Sequence, residues 1–154
     1  MNIKTKLEAL GHTLPGASEA VASYVPYVIS NKQIFIAGQI PMIEGRLYAQ
    51  GQVGVDITIE QAVKAAEICA LNILAQADKA VGGDWSRIEY CIKLGGFVSC
   101  AAGFDQQSAV INGASDLIVA VMGDNGKHAR FAVGAPALPR NAAVEVEAIF
   151  ALKD

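Results

Sequence analysis

An arginine and a glutamate near the C-terminal end are the residues whose types and spacing best suit chemistry. Arg130 lies in the alternating stretch 128–135, and Glu145 lies in the alternating stretch 144–152. Alternation of apolar and polar residues predicts strands with two different faces, and the prolines of segment 136–139 predict a turn between them. A hairpin around this turn would place Arg130 opposite Glu145 on one sheet face. We therefore predict an antiparallel hairpin that joins a guanidinium and a carboxylate.

The chemistry of this predicted face is the binding of a small carboxylate. A guanidinium is a planar fork that grips a carboxylate with two parallel hydrogen bonds, and the small Ala132 would leave room above Arg130. His128 and Glu147 share the face, and we interpret both as structural. A cross-strand ion pair between Arg130 and Glu145 on a wet face is the simpler reading of the same pattern. The pairing alone favours that simpler reading.

Composition limits the classes of function. The chain has 154 residues, of which 53% are hydrophobic and only 18% are charged. No apolar run is long enough to span a bilayer, so we expect an oligomer that hides apolar surface between subunits. The net charge of -3 and the scattered basic residues argue against a nucleic-acid partner. The three cysteines lack metal-ligand spacing, and no signal peptide opens the chain, so a reduced cytoplasmic protein is expected.

Two helices follow from local signals. Thr58 and Gln61 form a capping box, and the apolar spacing after them predicts a helix that ends before Gly82. Asp105 is predicted to cap a second helix. The Asn112–Gly113 pair in the middle of that helix is unfavourable for helix formation, and it marks a functional site or a late helix start.

Strands account for most of the remaining chain. We predict an edge strand at 24–29, a second strand at 34–40 and a long strand at 85–99 with a bulge or a bend at Gly95–Gly96. Together with the C-terminal hairpin the order is β-β-α-β-α-β-β. Two helices on one face of a mostly antiparallel sheet make a two-layer α+β fold. We expect one domain over 1–154, in which 1–20 is an N-terminal extension.

Several short segments resemble the RidA/YjgF family of reactive-intermediate imine deaminases. Segment 36–41 (IAGQIP) resembles the family's Gly-Gln-Ile/Leu-Pro motif, and 128–133 (HARFAV) with 138–149 (LP…VEVEAI) resembles its C-terminal signature. The segments occur in the right order and spacing, and the similarity extends from about Tyr24 to the C-terminus. The stretches around Asn112 and His128 look like a longer subgroup of the family.

The resemblance implies a chorismate-mutase-like fold and a homotrimer with clefts between subunits. It implies that Arg130 grips the carboxylate of a 2-imino acid and that Glu145 positions or activates the hydrolytic water. The implied products are a 2-keto acid and ammonia, without a metal or an organic cofactor. The further positions implied to bind substrate are Tyr24, Gly38, Asn112 and Ala132.

Two departures leave alternatives open. Ala132 stands where many members have cysteine, and Ala37 stands where they often have serine. These losses also fit a non-catalytic trimeric binder of small carboxylates. RNA cleavage, which is ascribed to some relatives, is disfavoured by the acidic balance of the chain.

Overall fold

The computed structural model describes residues 2–19 and 22–153. The predicted domain 1–154 and its extension 1–20 include four residues outside these ranges, namely Met1, Ala20, Val21 and Asp154. The elements of the described residues are α1 (Ile3–Ala9), β1 (Tyr27–Ser30), β2 (Gln33–Gln39), β3 (Met42–Ile43), β4 (Arg46–Leu47), α2 (Ile59–Ala80), β5 (Ile88–Ser99), α3 (Gln107–Met122), β6 (Ala129–Ala135) and β7 (Val144–Leu152). The predicted order of the large elements and the two-layer α+β fold are confirmed.

Helix α2 begins with the predicted capping box. The backbone N–H of Gln61 donates to Thr58 Oγ1 (3.2 Å), and the backbone N–H of Thr58 donates to Gln61 Oε1 (2.9 Å). These two bonds satisfy donors that have no partner within the helix. The buried side of α2 is rich in alanine, which lets the helix lie close to the sheet and to α3.

Helix α3 starts differently from the prediction. Its N-cap is Gln106, which makes no side-chain capping bond, so the assignment of Asp105 as the cap was wrong. Gly113 lies in the helix interior, where a Cβ would overlap the backbone carbonyl oxygen of Val63 in α2. The cost of a mid-helix glycine is therefore offset by a closer approach of the two helices.

The main sheet has the strand order β1-β2-β7-β5-β6. Strand β5 lies between β6 and β7, pairs parallel with β6 and pairs antiparallel with β7. The predicted β6–β7 hairpin was therefore wrong. Parallel neighbours need a crossover connection, and α3 supplies it between β5 and β6. Strand β6 thus becomes an edge strand, roughly 10 Å from β7 across the sheet.

The assignment of Arg130 and Glu145 to one face was also wrong. Arg130 is level with Leu94, which is fully buried under the helices, and both side chains point to the helix side. Glu145 is level with Phe97 on the opposite, uncovered face. Ala132 likewise packs against the core on the helix side. Strand β6 alternates as predicted. Its apolar residues, which include Phe131, lie on the uncovered face.

The uncovered face of the sheet is largely apolar. Phe97 and Phe131 meet edge to face with 5.3 Å between ring centroids, while Val28, Phe35 and Val133 are 51%, 40% and 44% exposed. Such a contiguous apolar surface is typical of a face that another subunit covers.

No helix within the described ranges has the length and apolarity needed to cross a bilayer.

The predicted bulge at Gly95–Gly96 is absent, because both residues pair regularly with β6 and β7. The glycines serve packing instead. A Cβ on Gly95 would come 2.6 Å from the Phe131 ring, and one on Gly96 would come 2.6 Å from Ile111. The irregularities of β5 lie earlier in the strand, before Lys93.

We expect Gly113→Ala to lower the free energy of unfolding by about 3 kcal/mol, because the new methyl group would push α3 away from α2. Helix propensity alone predicts a gain of about 1 kcal/mol for the same change, so the two effects have opposite signs. Urea unfolding followed by circular dichroism measures the difference. Gly16→Ala is the matched control, since a Cβ there meets nothing within 4 Å. A stabilised Gly113→Ala variant would contradict the packing argument.

Candidate functional site

Arg130 is held by neutral acceptors from helix α3. Its Nη1 donates to Asn112 Oδ1 (2.9 Å) and to Ser115 Oγ (3.2 Å). Its Nη2 makes a long bond of 3.4 Å to the carbonyl oxygen of Ser108. We call Arg130, Asn112, Ser115 and His128 the arginine cluster. The cluster fixes the guanidinium at the sheet edge without neutralising its charge.

The free side of this guanidinium suits an external carboxylate. Asn112 and Ser115 take the two hydrogens of Nη1, and the long bond to Ser108 takes one hydrogen of Nη2. The hydrogen of Nε and the second hydrogen of Nη2 make no hydrogen bond within the described residues. Within the described ranges, no Asp or Glu carboxylate makes an ion pair with Arg130. A fixed, uncompensated guanidinium is the arrangement that favours a bidentate carboxylate ligand.

The bonds of the arginine cluster continue from Ser115 to His128. Ser115 Oγ lies 2.9 Å from His128 Nε2, and His128 Nδ1 lies 2.6 Å from the carbonyl oxygen of Gly126. His128 therefore supports the cluster, in agreement with its interpretation as a structural residue. The role of Ser115 was missed, although its spacing was informative. Ser108, Asn112 and Ser115 recur at four and three residues along α3, which places them on one helix face.

A second feature is a cleft of about 900 Å³ around the β2 end of the sheet. We call it the glutamate cleft. Its lining includes Tyr24, Gly38, Ile40, Leu71, Arg140 and Glu145. The volume is in the range of small-molecule sites, and the mixture of apolar walls with a few polar groups is typical of them. Three predicted site residues, Tyr24, Gly38 and Glu145, thus line one cleft.

Glu145 lies against the backbone of Gly38 in this cleft. A Cβ on residue 38 would overlap Glu145 Oε1, so only glycine leaves space for the carboxyl group. Partial burial, and then the nearby charge of Glu147, raise the pKa of Glu145 above its ordinary value. A carboxyl group tuned in this direction is a better proton acceptor for water than an ordinary surface glutamate.

Arg140 was missed by the sequence analysis. It lines the glutamate cleft, and its Nη1 donates a hydrogen bond to the thioether sulfur of Met42, at 3.5 Å. Arg140 has φ +58°, a strained value for a residue with a side chain. Arg140 directly follows the predicted turn 136–139, and nothing in that position of the sequence would place its guanidinium in a cleft.

The cysteines are not part of either feature. Burial, and then the charge of Glu145, raise the pKa of Cys69 well above its ordinary value. Burial raises the pKa of Cys91 to about 12. Both thiols are therefore protonated and unreactive at neutral pH. Among the described residues, no group of three His, Cys, Asp or Glu side chains is arranged to hold a metal ion.

Within one chain, the arginine cluster and the glutamate cleft are separate. Arg130, Asn112 and Ala132 lie at the β6 edge on the helix side, whereas Tyr24 precedes β1, Gly38 lies on β2, and Glu145 lies on the central strand β7 with its side chain on the opposite face. The two catalytic candidates are thus not neighbours in the protomer. Each feature holds half of the groups that the predicted chemistry requires.

Comparisons with known proteins agree with this architecture. A model of the YjgF/chorismate mutase-like family, whose description adds an inferred endoribonuclease activity, matches residues 4–152. Protein TCP17 of Trypanosoma cruzi is 40% identical over 153 residues, which are 99% of this chain and 95% of that protein.

Two solved structures extend the similarity. The Agrobacterium tumefaciens protein Atu1372, whose function is described as unknown, is 48% identical with a TM-score of 0.93, over 98% of this chain and 92% of that one. A Shewanella oneidensis protein named as an inferred endoribonuclease is 32% identical with a TM-score of 0.94, over 99% of this chain and 100% of that one. The family model spans almost the entire sequence, and the two-layer α+β fold is the same: the chain belongs to the YjgF/RidA family.

Proposed function

We propose that this protein hydrolyses reactive 2-imino acids, and their enamine tautomers, to 2-keto acids and ammonia. Membership of the YjgF/RidA family supports the class of reaction. The observation that carries the proposal is the guanidinium of Arg130, which is fixed by three neutral acceptors and makes no ion pair with a carboxylate of the described residues. A small acid with one carboxylate is the ligand that this arrangement selects.

The reaction asks little of the protein beyond positioning. A 2-imino acid is already electrophilic at C2, so holding the carboxylate and delivering one water supply most of the catalysis. Glu145 accepts a proton from the water as its oxygen adds to C2. That proton passes to the nitrogen, which gives a 2-amino-2-hydroxy acid. The proton of its new hydroxyl group then moves through Glu145 to the amino nitrogen, the C–N bond breaks to release ammonia, and the oxygen forms the C=O bond of the keto acid.

We propose further that the active site forms between two protomers of a homotrimer. The arginine cluster of one protomer would face the glutamate cleft of the next, because neither contains both catalytic groups. The exposed apolar side chains on the uncovered sheet face, such as Phe35 and Val133, support association through that face. In the assembled site Tyr24 and Gly38 would line the wall around the substrate, while Asn112 holds Arg130.

Arg130→Ala is expected to lower kcat/KM for 2-iminopropanoate about 100-fold, because a charge-assisted bidentate contact is lost. The imine is generated in the assay by a flavin amino-acid oxidase, and ammonia or keto-acid release is followed over the uncatalysed rate. Arg87→Ala is the control, since Arg87 is exposed in a turn away from both features. Equal turnover by wild type and Arg130→Ala would reject the proposal. Keto-acid binding without turnover would favour a carboxylate-binding protein instead.

Asn112→Asp tests the free charge of the guanidinium. It replaces a neutral acceptor 2.9 Å from Arg130 Nη1 by a carboxylate of the same shape. We expect the affinity for 2-oxobutanoate to fall about tenfold below that of Asn112→Ala, because the new ion pair competes with the ligand. Isothermal titration calorimetry gives both constants. If Asn112→Asp binds 2-oxobutanoate as tightly as Asn112→Ala does, carboxylate binding at Arg130 does not depend on an uncompensated charge.

Glu147→Gln tests the role of Glu145 as the general base. Because the pKa of Glu145 is raised, activity should be lost on the acid side at a higher pH than an ordinary glutamate would give. Removing the charge of Glu147 lowers the pKa of Glu145, so the acid limb of kcat/KM should move to lower pH. Glu44→Gln is the control, since Glu44 lines the cleft but is not a cause of the shift. An acid limb that stays in place in Glu147→Gln would exclude Glu145 as the titrating base.

A further inference from the structure

The arginine cluster contains a titratable group that the proposed mechanism does not use. His128 precedes β6 and connects to Arg130 through a single hydroxyl group. The distances are 2.6 Å from Gly126 O to His128 Nδ1, 2.9 Å from His128 Nε2 to Ser115 Oγ and 3.2 Å from Ser115 Oγ to Arg130 Nη1. Each distance is within hydrogen-bond range, so the chain is continuous.

The chemistry of the partners determines the direction of each bond. A backbone carbonyl only accepts, so Nδ1 of the neutral imidazole carries the hydrogen and Nε2 is left as an acceptor. The hydroxyl of Ser115 must then donate to Nε2, and its oxygen accepts from Arg130. In this state the only hydrogen of the hydroxyl is committed to the imidazole.

Protonation of His128 reverses one bond of the chain. Both ring nitrogens are now donors, so Nε2–H donates to Ser115 Oγ. The oxygen accepts from His128 and Arg130 together, and its own hydrogen is released. The cluster gains a positive charge two hydrogen bonds from the guanidinium and a free O–H donor beside it, and both changes favour a bound anion.

We propose that His128 is a positioning residue for Arg130, and that its protonation, relayed through Ser115, strengthens carboxylate binding at the guanidinium. The inference rests on the proposed binding of a carboxylate by Arg130, and it adds a dependence of that binding on pH. In this proposal His128 touches neither the reacting carbon nor the leaving nitrogen, and the relay acts on ligand affinity alone. It therefore affects KM more than the chemical step.

The surrounding charges are compatible with this role. Arg130 is the charged residue in the series of hydrogen bonds that runs from Gly126 through His128 and Ser115. The other titratable groups on the nearest elements are Asp116 on α3, Glu89, Tyr90, Cys91 and Lys93 on β5, and the Asp124–Lys127 ion pair of the turn before β6. None of them bonds to His128 in the part of the chain that the structure describes, and Lys93 lies over the Phe131 ring on the other sheet face.

Calorimetric binding of 2-oxobutanoate to the assembled protein at about pH 5.5 and about pH 8.5 tests the relay. We expect wild type to bind roughly three- to tenfold more tightly at the lower pH. His128→Asn keeps an amide donor for Gly126 O but does not titrate, and Ser115→Ala removes the relay while keeping the histidine. Both variants should lose most of the pH dependence. Glu145 is retained in all three proteins, so its own titration cancels in the comparison.

The same experiment separates the relay from the hydrolase. If His128→Asn and Ser115→Ala both keep the wild-type ratio of affinities, the relay is wrong whether or not the protein hydrolyses imines. Binding with the expected pH dependence but without imine turnover supports the relay and rejects the hydrolase. If 2-oxobutanoate does not bind to wild type at either pH, both proposals are overturned.

Discussion

The guanidinium of Arg130 is held without an ion pair to any carboxylate of residues 2–19 and 22–153. Asn112, Ser115 and Ser108 provide dipoles instead of a carboxylate. Neutral acceptors orient the fork, but they do not compete for it as an aspartate or glutamate would. A guanidinium that is held by neutral acceptors remains available to an external anion, whereas a guanidinium in a structural ion pair does not. The crossover helix α3 is the element that makes it possible, since it brings the three acceptors to the edge strand.

Local structure was predictable because its signals are local. The capping box at Thr58 gave the start of α2, and the alternation around Arg130 and Glu145 gave the two C-terminal strands. The pairing of those strands was not predictable in the same way. A proline-containing turn favours a hairpin, but β5 occupies the place between β6 and β7. Strand order depends on contacts between distant segments, and the turn residues contain no information about them.

The face of Arg130 was misassigned for a related physical reason. Apolar residues of a strand usually point toward the helices of a two-layer fold, and this rule would put Phe131 under α3. In this protein Phe131 packs on Phe97 at the uncovered face. A sheet face that no helix covers is nevertheless apolar in this protein, so alternation alone does not reveal which of the two faces of β6 packs under the helices. The family resemblance implied Arg130 and Glu145 as the catalytic pair, but it did not indicate that they lie apart in one chain.

Subunit complementation tests the shared active site most directly. Arg130→Ala and Glu145→Gln are each expected to be inactive as homotrimers. When the two are unfolded and refolded together, random mixing restores about a quarter of the sites if one protomer supplies the arginine and its neighbour the glutamate. The account predicts imine hydrolysis near that fraction of the wild-type rate. A mixture that exchanges subunits and remains as inactive as its parents would contradict it, because a site within one protomer always carries one of the two mutations.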